Sequence, residues 1–109
     1  MKLVPVKMLP STDYIISIIK KEQPYLESRY FIKHLDLYGS FAKQQQHSES
    51  DVDLLYTTLP NGTMTLARLK SFENYLSQLL NIEKIELVNK QSVNPVIAKN
   101  IENYAISIF

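Results

Sequence analysis

The chain has 109 residues, of which 45% are apolar and 21% charged; its formal net charge is +1 and it contains no cysteine. That length predicts one domain spanning residues 1–109, with a core modest enough for self-association or a partner to matter to its stability. The near-neutral charge argues against a nucleic-acid binder driven by a basic surface, and the missing cysteines exclude disulfides, zinc–thiolate sites and thiol catalysis.

Met1 to Pro10 carries Leu3, Val4, Val6 and Met8 but no long apolar run and no small-residue cleavage signature. It does not read as a signal peptide, no stretch approaches transmembrane length, and the expected location is the cytoplasm. Ser11, Thr12 and Asp13 are good caps for a first helix, whose apolar stripe is Ile15, Ile18 and Ile19, with Ile16 at its margin. Pro24 either ends that helix or opens a second one to about Tyr30, burying Tyr25 and Leu26. Ile32, Leu35, Leu37 and Tyr38 predict a strand ending at Gly39, followed by a helical turn from Phe41 to about Gln45. Asp51 to Thr57 predicts a second strand, and Pro60-Asn61-Gly62 a turn. Thr65 to Leu80 is the clearest helix, with Leu66, Leu69, Phe72, Tyr75, Leu76, Leu79 and Leu80 at helical spacing. Ile85 to Val88 predicts a third strand, Pro95 to about Asn103 a last helix, and Tyr104 to Phe109 a last strand. Alternating helices and strands place the chain in the α/β (α+β) class, with a small mixed sheet packed with helices.

The chemistry concentrates in Gly39-Ser40-Phe41-Ala42-Lys43 and Ser50-Asp51-Val52-Asp53-Leu54. Residues two apart on a strand share a face, so the carboxylates of Asp51 and Asp53 would lie side by side and raise one another's pKa unless a cation intervenes. Alone, such a pair is common as a solvated face or an Asx turn. A glycine at a strand end lets the backbone turn sharply and approach a phosphate, Ser40 offers a hydroxyl donor, and Lys43 a positive charge. A phosphate cradle and a metal pair are complementary parts of one nucleotide site, provided that the two strands run antiparallel and adjacent. The two histidines, His34 and His47, are too far apart for a local metal motif, so oxygen ligands and a hard cation, magnesium or manganese, are expected. His47 reads as a loop residue, His34 as structural, Arg68 as part of a solvated face, and most of the seven tyrosines as packing. Tyr56, near the end of the Asp-x-Asp strand, is the tyrosine to watch.

Gly-Ser-x-Ala-Lys, a nine-residue spacer from Phe41 to Glu49, and Ser-Asp-x-Asp-Leu resemble the minimal nucleotidyltransferase branch of the DNA polymerase beta-like nucleotidyltransferase superfamily. The likeness extends from about Ile15 to the end. It implies that Asp51 and Asp53 are two of three metal-binding carboxylates and that Glu86, where the family more often has aspartate, is the third metal ligand or the general base. It implies that Gly39, Ser40, Lys43 and Ser50 face the nucleotide, with ATP as substrate and Mg2+ or Mn2+ as cofactor. Gln44 departs from the pattern, since a glycine is common there. The resemblance further implies a toxin–antitoxin module in which the chain attaches AMP to a tyrosine of a HEPN-domain ribonuclease toxin. Two other readings stay open: a binding module that neutralises its partner by contact, and a transferase acting on a small molecule.

Overall fold

Ser11 keeps an extended backbone and its hydroxyl accepts from the Tyr14 amide at 3.1 Å, so helix α1 runs over Thr12–Lys21. Pro24 opens the next helix, α2 (Gln23–Tyr30), which ends where Phe31 turns left-handed at φ 59°. The strand β1 (Ile32–Tyr38) runs straight into the single turn α3 (Gly39–Ala42). Then come β2 (Val52–Thr58), α4 (Leu66–Leu80) and β3 (Ile85–Asn89). A 3-10 turn at Lys90–Ser92, α5 (Pro95–Glu102) and β4 (Ile106–Ser107) complete the chain. This computed structural model describes residues 10–47 and 49–109; the reading of Leu3, Val4, Val6 and Met8, and Ser48 of the spacer, lie outside them. Among the described residues no helix is long and apolar enough to cross a membrane.

The four strands form one mixed sheet in the order β3-β2-β1-β4. β1 is antiparallel to β2 and to β4, whereas β2 and β3 are parallel, joined by the crossover helix α4. Leu35, Leu37, Val52, Leu54, Tyr56, Ile85 and Leu87 alternate onto one face and are buried there. Ile15 and Ile19 of α1, Leu26 of α2, and Phe72, Leu76 and Leu80 of α4 belong to the same core. The opposite face carries Tyr38, Asp53 and Glu86.

Several sequence expectations need correction. Tyr25 is exposed while Leu26 is buried, because neighbours on a helix point about 100° apart and cannot both face the sheet. Tyr25 instead lies edge-on to Tyr30 and tilted over Tyr75, ring centroids 6.1 and 4.8 Å away. Leu66 does not join the α4 stripe: it is 84% exposed in the first helical position after the Thr65 cap. The last strand shrinks from Tyr104–Phe109 to Ile106–Ser107: it starts late because the Tyr104 and Ala105 amides still bond to the Ile101 carbonyl at 3.1 and 2.8 Å, and beyond it Ile108 and Phe109 still bond to Leu35. α3 starts at Gly39, not Phe41, and β2 starts at Val52, one residue after Asp51.

Candidate active site

Antiparallel pairing of β1 with β2 brings the end of one strand to the start of the other and sets Tyr38 opposite Asp53. Parallel pairing of β2 with β3 sets Glu86 on the other side of Asp53. Tyr38, Asp53 and Glu86 therefore form a row across three strands, on the face turned away from the core. Asp51 lies just outside β2 yet reaches the same place. One carboxylate oxygen from each of Asp51, Asp53 and Glu86 lies within 4.8 Å of the others.

These carboxylates share their charge without a counterion. Among the described residues the one ion pair is Lys90 to Asp36, at 3.6 Å. Burial, a hydrogen bond with Glu86, and the charges of Glu86 and Asp51 push Asp53 up to about 7. Tyr38 is pushed up to about 12, first by burial and then by Asp53, Glu86 and Tyr104, so its phenol stays protonated. The all-oxygen, anionic donor set suits a hard divalent cation, whose ligands sit about 2–2.6 Å from the ion. Small side-chain rotations would close the present spread around one ion.

The sign of the pH dependence follows from Asp53. Its folded pKa lies above its unfolded value of 3.8, so the folded protein holds more protons between about pH 4 and 7 and loses stability as the pH rises through that window. The full shift corresponds to about 4 kcal/mol, which solvent screening of the half-exposed cluster reduces to about 1–2 kcal/mol. Metal-free protein is therefore expected to melt at a higher temperature at pH 5 than at pH 8, and added magnesium to abolish the difference. Equal melting temperatures at the two pH values without metal would contradict this electrostatic picture.

Gly39 fits against this cluster. Its φ is +74°, and a Cβ placed on it would lie 2.1 Å from Asp53 Oδ2. The glycine is thus required first by the Asp53 carboxylate packed beside it. Ser40 lies inside the turn, and the Lys43 amide closes it on the Gly39 carbonyl at 3.1 Å. The Lys43 ammonium sits 4.4 Å from the centroid of the Tyr104 ring. Ser50 ties the end of the spacer: its hydroxyl accepts from the His47 amide at 2.8 Å, and its own amide donates to the His47 carbonyl at 2.9 Å.

Gln44 adopts φ 57°, which gives a physical reason for a glycine at this position. Gln44→Gly is expected to raise stability by about 0.5–1 kcal/mol, read by urea denaturation, because relief of the left-handed strain exceeds the added unfolded-state entropy.

Tyr56 is buried on the core face, three residues and hence one face away from Asp53. Arg68 is only half-exposed: its guanidinium lies 4.9 Å from the Phe31 ring centroid and donates to the Thr63 carbonyl. His34 is exposed on β1 and His47 is exposed in the spacer. Two residues near the site escaped the sequence reading. Tyr38 could have been found from its place before Gly39, whereas nothing local marks Tyr104. Beside the carboxylates opens a cleft of about 460 Å³, lined by Asp51 and Glu86 and by Glu73, Glu83 and Lys84.

The chain matches the family described as polymerase beta, nucleotidyltransferase, over residues 20–109. It is 37% identical over 95 residues to MJ1217 of Methanocaldococcus jannaschii, a candidate protein adenylyltransferase, covering 86% of this chain and 94% of that one. The solved structure of a candidate minimal nucleotidyltransferase superposes with a TM-score of 0.71 at 20% identity, covering 94% of this chain and 98% of the other. A chain from the complex of the tri-AMPylated Shewanella oneidensis HEPN toxin with its MNT antitoxin superposes with a TM-score of 0.59 at 14% identity, covering 86% of this chain and 71% of that one. At these identities the structural likenesses speak for the fold.

Proposed function

The chain belongs to the polymerase beta nucleotidyltransferase family, and on that premise we propose that it transfers AMP from ATP to a tyrosine hydroxyl of a HEPN-domain ribonuclease toxin, acting as the antitoxin. The observation that carries the reading is the convergence of Asp51, Asp53 and Glu86 beside the Gly39 turn. The name of the Methanocaldococcus relative and the AMPylated toxin in the Shewanella complex support protein as the acceptor.

Asp51 and Asp53 would hold a divalent ion, with Glu86 completing its ligand set or taking the proton of the acceptor hydroxyl. When bound, magnesium or manganese would supply charge neutralisation for the triphosphate. Gly39, Ser40, Lys43 and Ser50 would cradle the phosphates, as the family likeness implies, with Gly39 packed beside Asp53. The acceptor oxygen bonds to the α-phosphorus, the bond from the α-phosphorus to the bridging oxygen breaks, and pyrophosphate leaves in line. Tyr38 remains a neutral hydrogen-bond donor beside Asp53. Glu86 is exposed and borders the cleft, where an acceptor hydroxyl could reach it from solvent.

The test is incubation with a purified cognate HEPN protein, magnesium and labelled ATP. Wild type is expected to label the partner and Asp53→Ala to leave it unlabelled. No transfer by wild type, or equal transfer by Asp53→Ala, would overturn the proposal. Calorimetry with ATP and magnesium separates it from neutralisation by contact alone, which requires no metal-dependent nucleotide affinity.

A further inference from the structure

We propose that Tyr104 is a positioning residue: its ring holds the Lys43 ammonium at the nucleotide side of the carboxylate site and so sets affinity for the triphosphate. The inference rests on the nucleotidyl-transfer reading above and assigns a part of that site which the family likeness did not supply.

Lys43 follows a helix of only one turn and is exposed, so its long side chain has little around it to fix a direction. The contact that fixes it is the Tyr104 ring, with the ammonium 4.4 Å from the centroid, inside the roughly 6 Å range of a cation–π interaction. The ring itself is anchored. Tyr104 is half-buried and packs against the main core, and its amide is bonded to the Ile101 carbonyl at 3.1 Å. Two residues later the chain joins β1, with Ile106 opposite Leu37. Leu37 lies two residues before Gly39, so the pairing delivers the ring to the strand end from which α3 springs.

The choice of an aromatic partner has a chemical consequence. Among the described residues no carboxylate pairs with Lys43. A carboxylate would orient the ammonium equally well but would neutralise it and compete with phosphate oxygens. A ring face orients the cation and leaves its charge and N–H donors available.

The test measures ATP–magnesium affinity by calorimetry, and KM and kcat of transfer, for wild type, Tyr104→Phe, Tyr104→Leu, Lys43→Met and the Lys43→Met/Tyr104→Leu double variant. Tyr104→Leu is expected to weaken nucleotide binding and raise KM by about 3- to 10-fold, from the strength of one cation–π contact. Its kcat should stay within about twofold, as for a loss of uniform binding. Tyr104→Phe keeps the ring and should behave as wild type. The double variant should bind no worse than Lys43→Met alone, since the ring acts only through the ammonium. The proposal fails if Tyr104→Leu binds ATP as wild type or more tightly, if Phe does not rescue, or if the two losses add. It also fails if Lys43→Met leaves nucleotide affinity unchanged; when Asp53→Ala still abolishes transfer in the same assay, the nucleotidyl-transfer reading survives that failure.

Discussion

Asp53→Asn is expected to reduce nucleotidyl transfer by about 10³-fold or more while making the metal-free protein more stable at pH 8. The two effects have one cause. Asp53 is the central carboxylate of the row, flanked by Glu86 on β3 and close to Asp51. Its charge is held where burial and two like charges oppose it. Asparagine has the same shape without the charge, so the repulsion disappears and stability at pH 8 rises by about 1 kcal/mol, what solvent screening leaves of the cost of charging Asp53 there. The same change removes a ligand charge from the ion that would neutralise the triphosphate, a contribution of several kcal/mol, and each 1.36 kcal/mol is about tenfold in rate. Single-turnover transfer assays and thermal melts on the same preparation test both halves. A variant that keeps a tenth of wild-type transfer, or that melts below wild type at pH 8, would remove Asp53 from the role assigned to it.

Gly39→Ala is expected to lower stability by about 2–4 kcal/mol. A left-handed φ of +74° costs an L-residue about 1–2 kcal/mol. The remainder comes from the clash, because the new methyl would lie 2.1 Å from Asp53 Oδ2 and 3.1 Å from its Cβ. One of the two groups must move, and either movement spoils the site: shifting Asp53 breaks up the carboxylate cluster, and shifting the turn moves Ser40 and Lys43. Transfer should accordingly fall by about 100-fold, as for an ångström-scale misplacement of reacting groups. Denaturation of the Gly39→Ala/Asp53→Ala double variant separates the two terms. Removing the Asp53 carboxylate relieves most of the clash, so the double variant should cost about 1–2 kcal/mol less than the sum of the single changes. Additive losses would mean that the glycine and the aspartate do not compete for one space.

Much of the fold follows from periodicity. The α4 stripe from Leu69 to Leu80, the two strands that flank the motif and the Ser11 cap are local properties of the chain, and each appears in the structure. Asp51 and Asp53 were expected side by side on one strand; they do come together, but with Asp51 just outside β2, and Glu86 was reached through the family likeness. What stayed hidden depends on partners distant in sequence. The row of Tyr38, Asp53 and Glu86 needs the register of three strands, which no short window specifies. The late start of β4 depends on α5 retaining two amides in its closing turn. Leu66 fits the helical spacing of its neighbours, yet its place in the first turn leaves it in water. Tyr104 meets Lys43 only after the C-terminal segment folds back along β1.

The crossover between β2 and β3 has a consequence for the order of assembly. β1 and β2 are joined by a short segment, so their antiparallel pairing closes a small loop and can form early. That pairing alone brings Tyr38, Gly39, Asp51 and Asp53 together. Glu86 arrives only after all of α4 has folded across the sheet and docked an edge strand in parallel, the slower kind of pairing. A nascent chain would therefore carry two of its three carboxylates in place before the third, and an ion spanning all three would fasten the last-docked strand to the first-formed pair. Amide exchange along β3 would then be the part of the molecule most slowed by magnesium.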